Sequence, residues 1–426
     1  MATATVLRTE SPDRWKYLNN ILTRSGPYSD EVFVPGDGPK EFLAGTKILV
    51  IGAGGLGCEI LKNLALSGFK DIHVIDMDTI DISNLNRQFL FREADVGKSK
   101  AEVAAAFVMK RVRGVNITPF NCAIQDKDDD YYRQFKIVVC GLDSVEARRW
   151  ISSTLVDLVD PEDPESVIPL IDGGTEGFKG QARVMIPTFS CCYECTLDML
   201  TPRAAVPLCT LASIPRQPAH CIEWASVIQW PKEKGDLKMD TDDPEHISWL
   251  YTQALARAKE FNIPGVTYAM TQGVVKNIIP AIASTNAIIA ASCCNEALKL
   301  ATTAAPYLDN YMMYTGDESI YTYTFQHEKK PECPVCGNLP QKLEINPELT
   351  LEELMEKLQE RPETTLRKPS LRAGGKTLYF QSPPQLEEQT RPNLKKKVKE
   401  LMGDGDELTV SDPGMPFVLR FVLSFT

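Results

Sequence analysis

The sequence lacks an excess of positive charge: 57 acidic residues against 46 basic ones leave a formal net charge of −11. That balance argues against a nucleic acid or an anionic membrane surface as the main partner, because either is gathered by a cationic field. It also lacks a long apolar run. The most membrane-like stretch, Ile278 to Ala291, is short, contains Pro280, Ser284, Thr285 and Asn286, and runs into Asn295, Glu296 and Lys299. A buried core helix is the expected reading. Met1 to Asn20 carries Pro12, Asp13 and Arg14 instead of the apolar and small-residue order of a secretory leader, so the chain is expected in the cytoplasm and nucleus. Thiols stay reduced there, and the 12 cysteines must be divided among metal binding, catalysis and packing. No internal repeat is visible.

What is present is a chain of 426 residues, 43% hydrophobic and 24% charged, too long for one ordinary core. Ser11-Pro12-Asp13 supplies a cap, a proline and an acid at the head of a short helix ending near Leu22. Gly26 to Gly45 reads as a surface loop. From Lys47 the pattern becomes strand, glycine-rich turn, helix and strand: Ile48 to Ile51, Gly52 to Gly57, Cys58 to Ser67, Ile72 to Ile75. Further elements are expected at Ala101 to Lys110 (helix), Ile137 to Cys140 (strand), Val145 to Val159 (helix) and Val167 to Ile171 (strand). The alternation predicts an α/β fold with a mainly parallel sheet covered by helices. After Cys195 the rhythm breaks into a Pro-, Trp- and acid-rich insertion, mostly helical. Apolar packing resumes at Val274 to Ala301, and strand-like Tyr311 to Tyr314 and Ile320 to Phe325 complete the first domain. A small mixed α+β unit begins near Leu339. Its block Lys395-Lys396-Lys397 reads as a solvated helix face.

Gly52-x-Gly54-Gly55-x-Gly57 follows an apolar strand and opens a helix, which lets the backbone approach a phosphate while free N–H groups face the anion. Asp76, at the end of the next strand, is placed to accept a ribose hydroxyl. A dehydrogenase shares this fingerprint, so the residues after Asp76 decide between the two chemistries. Asn84, Arg87 and Gln88 lie close together, and Lys98 and Lys100 come after them. Adenylyl transfer needs cations around a phosphorus whose oxygens gain charge, which Arg87 and Lys100 can supply, whereas hydride transfer does not. Asp143, after the strand Ile137 to Gly141, can hold Mg²⁺ through one carboxylate, or can cap the helix that begins at Val145.

Cys192-x-x-Cys195 and Cys333-x-x-Cys336 are two pairs separated by the insertion. Together they offer four thiolates to one tetrahedral ion, a closed structural zinc site stapling the insertion's two ends, with redox chemistry as the rival reading. Cys191 has no counterpart and is a bystander. Cys209 stands alone between Pro207 and Pro215 at the head of an expected helix, where thiolate is favoured. No general base is visible beside it. Cys221 reads as structural, and His220 and His246 as ordinary surface or core residues.

The glycine turn, Ile75-Asp76-Met77-Asp78-Thr79-Ile80, Ser83-Asn84-Leu85-Asn86-Arg87-Gln88-Phe89-Leu90-Phe91, Gly97-Lys98-Ser99-Lys100 and Gly141-Leu142-Asp143 resemble the adenylation domain of ubiquitin-like protein activating enzymes. The resemblance implies ATP as substrate, Asp76 on the ribose, Asn84, Arg87 and Lys100 around the phosphates, Gln88 among the nucleotide-binding residues, and Mg²⁺ on Asp143. It also implies structural Zn²⁺ and a thioester on Cys209, whose Pro-Leu-Cys-Thr run looks like the family's active-site signature. Gln229 to Glu233, Asp242 to Ile247 and Thr390 to Leu394 are most similar to the neddylation branch of that family. The implied organisation is an N-terminal helix and loop (1–38), a Rossmann-like adenylation domain in two parts (39–200 and 274–338), a catalytic cysteine domain (201–273) and a C-terminal ubiquitin-like fold (339–426). The implied partners are a ubiquitin-like modifier, a conjugating enzyme bound through the last domain, and a regulatory subunit forming a heterodimer. Bacterial relatives donate an arginine to a neighbour's site from an Arg-Tyr-x-Arg-Gln-like segment, and Arg24-Ser25-Gly26-Pro27-Tyr28-Ser29 does not match it, so a different subunit is expected to supply that group. Arg183 is a candidate reader of the modifier's tail. A sulfur-carrier adenylyltransferase, an NAD-dependent oxidoreductase and a non-catalytic scaffold are the rival readings. The first would not need the insertion.

Overall fold

Strands β1 (Lys47–Ile51), β2 (Asp71–Ile75) and β4 (Ile137–Cys140) are apolar and buried along nearly their whole length. A parallel strand covered by helices on both faces must be, since neither side meets water. The computed structural model describes residues 12–199, 215–235, 237, 239–240, 243–275, 281–337, 339–361, 366–374, 376–413, 415 and 417–426. With β3 (Asn116–Phe120), β5 (Leu170–Glu176), β6 (Lys179–Met185), β7 (Tyr311–Thr315) and β8 (Tyr321–Phe325) these strands form one sheet of eight, in the order β3-β2-β1-β4-β5-β6-β7-β8. Pairing is parallel from β3 to β5 and antiparallel from β5 to β8. The chain moves from β1 outward to β2 and β3, then crosses back to β4 beside β1. That reversal leaves a crevice beyond the carboxyl ends of β1 and β4, where α/β sheets bind their ligands.

Alternate residues of β1 face opposite layers. Ile48 and Val50 pack with the helices Gly55–Leu66, Lys100–Arg111 and Ala283–Thr302, whereas Leu49 and Ile51 pack with Tyr132, Phe135 and the helix Val145–Asp157. Within the expected apolar stretch Ile278 to Ala291, the described part beyond Ile282 belongs to a core helix, with Ile289 and Ala290 fully buried, and residues 276–280 lie outside the described set. Among the described residues no helix is long and apolar enough to cross a membrane.

The chain divides into two compact units, one formed by Met1–Asp198 with Ile282–Thr426 and the other by Met199–Ala281. The second unit is helical, as its composition leads one to expect. Helices Pro218–Trp224, Trp230–Lys234 and Pro244–Glu260 surround a core of Cys221, Ile222, Trp230, Ile247, Leu250 and Ala254. Asp243 starts the longest of them by accepting from Glu245 N at 2.8 Å, with proline next in sequence.

Within the first unit, residues beyond Leu339 build a second, five-stranded sheet: β9 (Gln341–Ile345), β10 (Ser370–Ala373), β11 (Lys376–Tyr379), β12 (Glu407–Ser411) and β13 (Leu419–Phe425), ordered β11-β10-β12-β13-β9. The first and last strands are parallel neighbours. The helix Leu351–Gln359 opens on a Thr350–Glu353 capping box and buries Leu351, Leu354, Met355 and Leu358, one stripe at helical spacing.

Candidate nucleotide site and four-cysteine centre

Gly52 turns out of β1 with φ +95, and a Cβ there would lie 2.6 Å from Gly141 O, so the two loops close on each other over the crevice. A Cβ on Gly57 would lie 2.6 Å from the Gly52 carbonyl carbon and nearer still to its oxygen. These two glycines make the tight turn. Gly54 and Gly55 do other work: a Cβ on Gly54 would meet only Gln88 Nε2 at 3.9 Å, so space stays open above the start of the helix Gly55–Leu66. A Cβ on Gly55 would strike the Asn286 amide and lie 3.6 Å from the Arg87 stem.

Asp76 caps β2 and reaches across to the turn. Its carboxylate accepts from Ala53 N at 2.6 Å and from Asp78 N at 2.9 Å, and burial raises its pKa against the pull of that Ala53 bond and of Lys100. Asn84 is buried with its Oδ1 on Asp81 N at 3.0 Å. The one-turn helix Ile82–Asn84 then delivers Arg87 and Gln88, both amides returning to Asn84 O. Arg87 commits Nη1 to Ser83 O at 3.0 Å and Asn86 Oδ1 at 3.2 Å, while Nε and Nη2 make no hydrogen bond among the described residues. Gln88 is 3% exposed and its Oε1 has no partner among the described residues, a buried acceptor that needs a donor such as a nucleotide hydroxyl or amine. Lys100, nearly buried, holds Asp78 at 2.7 Å. An anion entering the crevice competes with Asp78 for that ammonium.

Asp143 lies on the loop after β4, exposed, and its carboxylate forms no hydrogen bond or ion pair among the described residues. The capping reading for it is corrected: Ser144 caps the helix Val145–Asp157, its Oγ accepting from Ala147 N at 3.0 Å. A lone free carboxylate beside a phosphate crevice fits Mg²⁺, which keeps several waters and takes one or two protein carboxylates plus substrate oxygens.

Arg183 does not reach solvent. It is 2% exposed, bonded to Thr196 Oγ1 at 2.6 Å, ion-paired with Asp172 at 3.1 Å and near the Tyr193 and Tyr311 rings, while its Nε and Nη2 make no hydrogen bond among the described residues. Sequence reasoning missed Asp172 itself, which is 1% exposed on β5 opposite the last residue of β4 and sits between Arg183 and Arg148. An acid following Leu170 and Ile171 was the available signal.

Cys192, Cys195, Cys333 and Cys336 are buried, with all four sulfurs within 4.8 Å of one another. Neighbouring sulfurs lie 3.5 to 3.9 Å apart. Four thiolates at about 2.3 Å from a central zinc would stand about 3.8 Å apart, so the set fits a closed tetrahedral site. A redox pair would bond within one C-x-x-C, but here each pair lies as near to the other as to itself. Hydrogen bonding within the set draws the Cys195 and Cys333 thiols down, toward the thiolate a metal takes, while Cys192 and Cys336 keep their protons. The surroundings are tied down as well: His327 Nε2 stands 3.0 Å from Cys195 O, and Glu194 holds Arg149 through two bonds of 2.8 and 2.7 Å. Cys191 is outside the set, accepting from Asn310 Nδ2 at 3.5 Å. Cys209 falls outside the described residues. Cys221 is core, His220 Nδ1 accepts from Arg216 N, and His246 packs on Trp230.

Residues 30–335 match the model of the ThiF family. The chain belongs to the ThiF family. Beyond the ThiF region, residues 344–425 match an E2 binding domain, the segment that holds the second sheet. Relatives aligned over nearly their whole length are NEDD8-activating enzyme E1 catalytic subunits. That of Dictyostelium discoideum is 54% identical over 433 aligned residues, 97% of this chain and 98% of its own. The Caenorhabditis elegans protein is 52% identical, covering 95% of each chain, and the Drosophila melanogaster protein 49%, covering 97% of this chain and 95% of its own. A ThiF-type adenylation fold with an appended E2-binding module accounts for both sheets, and ATP is the substrate such a domain uses.

Proposed function

We propose that the chain activates a ubiquitin-like modifier of the NEDD8 type. Identity near one half over almost the whole length to NEDD8-activating enzyme E1 catalytic subunits carries this reading. The crevice supports it. A sulfur-carrier adenylyltransferase or an oxidoreductase has no use for both the inserted unit and the E2-binding module.

In the first step an oxygen of the modifier's C-terminal carboxylate attacks the α-phosphorus of ATP and the bond to the β-phosphate bridge breaks, releasing pyrophosphate and leaving an acyl adenylate. The N–H groups opening the helix Gly55–Leu66 face the phosphates, and Asp76 receives the ribose. The free nitrogens of Arg87, with Lys100, meet charge that grows on the phosphoryl oxygens. Asn84 and Gln88 orient the nucleotide with their amides. Mg²⁺ held on Asp143 supplies further neutralisation when bound. In the second step the Cys209 thiolate attacks the acyl carbon, AMP leaves, and the modifier is held as a thioester for a conjugating enzyme docked on residues 344–425. Zinc in the four-cysteine set would tie the segment after β6 to the segment after β8. A separate regulatory subunit completes the site with the arginine that Arg24–Ser29 does not provide; Arg24 itself bonds back to Asn20 O at 3.3 Å.

Modifier-dependent ATP–pyrophosphate exchange, with candidate partner subunits supplied, tests the reading. Wild type and Cys209→Ala should both exchange, and only wild type should form a thioester cleaved by reductant. No exchange with any ubiquitin-like tail refutes the function. A thioester persisting in Cys209→Ala removes that residue from it.

A further inference from the structure

Asp143 owes its position to its neighbours, because its carboxylate touches no described partner. On one side Ser144 is secured as the helix cap at 3.0 Å. On the other side, among the described residues, the only side chain bonded to the loop is Arg148, one turn into the same helix. Its guanidinium turns back so that a single nitrogen, Nη2, donates to Leu142 O on the loop after β4 and to Gly173 O on β5 at 3.1 Å. The Nε nitrogen is held by Asp172 Oδ1 at 2.9 Å, and Asp172 is in turn backed by Arg183. Gly174 leaves the room this needs: a Cβ there would stand 3.3 Å from Arg148 Nη2. The guanidinium therefore joins the loop after β4 to the adjacent strand β5 through three acceptors, a pattern that lysine's point charge cannot reproduce.

We infer that Arg148 is a positioning residue for the cation-binding loop, setting the place of Asp143 through the Leu142 carbonyl. The inference rests on the proposed function only in taking Asp143 as the Mg²⁺ carboxylate. Arg148 touches neither nucleotide nor metal in this scheme. It acts by removing the loop's freedom before the cation arrives.

The variant that separates positioning from bulk stability is Arg148→Lys, which keeps a charge opposite Asp172 but loses the fork. Three quantities are measured on the full chain with its partner subunit: the melting temperature, the Mg²⁺ concentration giving half-maximal ATP–pyrophosphate exchange, and Mn²⁺ binding followed by electron paramagnetic resonance with a non-hydrolysable ATP analogue present. Ligand-orienting neighbours of a metal typically change its affinity about 10- to 100-fold, so the Mg²⁺ midpoint and the Mn²⁺ dissociation constant should both rise about tenfold or more. Exchange should recover at high Mg²⁺. Asp143→Asn should lose the Mn²⁺ site outright. An Arg148→Lys protein whose Mn²⁺ binding and Mg²⁺ midpoint match wild type overturns the inference, whether or not its melting temperature has dropped. If wild type exchanges and Asp143→Asn binds Mn²⁺ normally, the metal assignment and the inference fall while the adenylation reading stands. If wild type does not exchange, the proposed function falls as well.

Discussion

Gly57→Ala should disable the phosphate turn through the fold, whereas Gly54→Ala should disable it without touching the fold. A methyl on Gly57 would stand 2.6 Å from the Gly52 carbonyl carbon, which must retreat by at least 0.8 Å to reach ordinary contact at 3.4 Å. The obstacle is backbone that cannot yield freely, because Gly52 N is bonded to Ile75 O at 2.8 Å and Gly52 already crowds Gly141 O. Overpacking of this kind costs about 3 kcal/mol. At about 2 °C per kcal/mol for a domain of this size, the melting temperature should fall about 6 °C. A shift near 1 Å in the turn should also weaken adenylation about 100-fold. Gly54 has φ −75, which any residue tolerates, and its methyl meets nothing closer than 3.9 Å. Gly54→Ala should therefore melt like wild type and lose only nucleotide affinity, since the methyl occupies the open space where a phosphate lies against the backbone. Differential scanning fluorimetry and titration with a fluorescent ATP analogue read both effects. Wild-type melting and affinity in Gly57→Ala would refute the turn geometry, and unchanged affinity in Gly54→Ala would refute the placement of phosphate on it.

Chelation under denaturing conditions should release about one zinc per chain, measured with a metallochromic dye, and Cys333→Ser should retain none; a metal-free wild type that melts normally contradicts the structural assignment. Arg149→Ala leaves Glu194 buried without its partner and should cost about 3–5 kcal/mol in chemical denaturation, with most of it recovered in an Arg149→Met, Glu194→Leu double variant. Burial first, then nearby Lys47, hold His73 below the ordinary value of 6.5, and its Nδ1 lies 3.1 Å from the Tyr131 hydroxyl. The unfolded chain thus takes up the proton more readily than the folded one. Stability is full above pH 6.5 and is lost as pH falls from 6.5 toward the folded value, a slope that His73→Phe should flatten.

Much of the nucleotide half was legible because its strands are apolar throughout and its turn needs glycine. Strand β3, Asn116-Ile117-Thr118-Pro119-Phe120, was not, since proline and asparagine argue against a central strand; it is tolerated because β3 is the sheet edge, where a missing N–H costs no ladder bond. Strand β6 opens Lys-Gly-Gln and has no alternation to reveal it, and only its pairing with β5 and β7 explains it. The two cysteine pairs were readable from spacing alone. The Arg148–Asp172–Arg183 chain was not, because its members lie on a helix and two strands and no local pattern records that they meet.

The four-cysteine set also dictates an order of assembly. Its halves are 141 residues apart, and β7 and β8, the last strands of the first sheet, lie just before the second half. At about 5–20 residues per second of synthesis, the first two sulfurs wait roughly 7 to 28 s for the others. A metal held by all four sulfurs would therefore be captured only after the whole insertion had been made and the sheet's final strands had emerged, so a chain truncated before Cys333 would keep an unclosed pair of thiols.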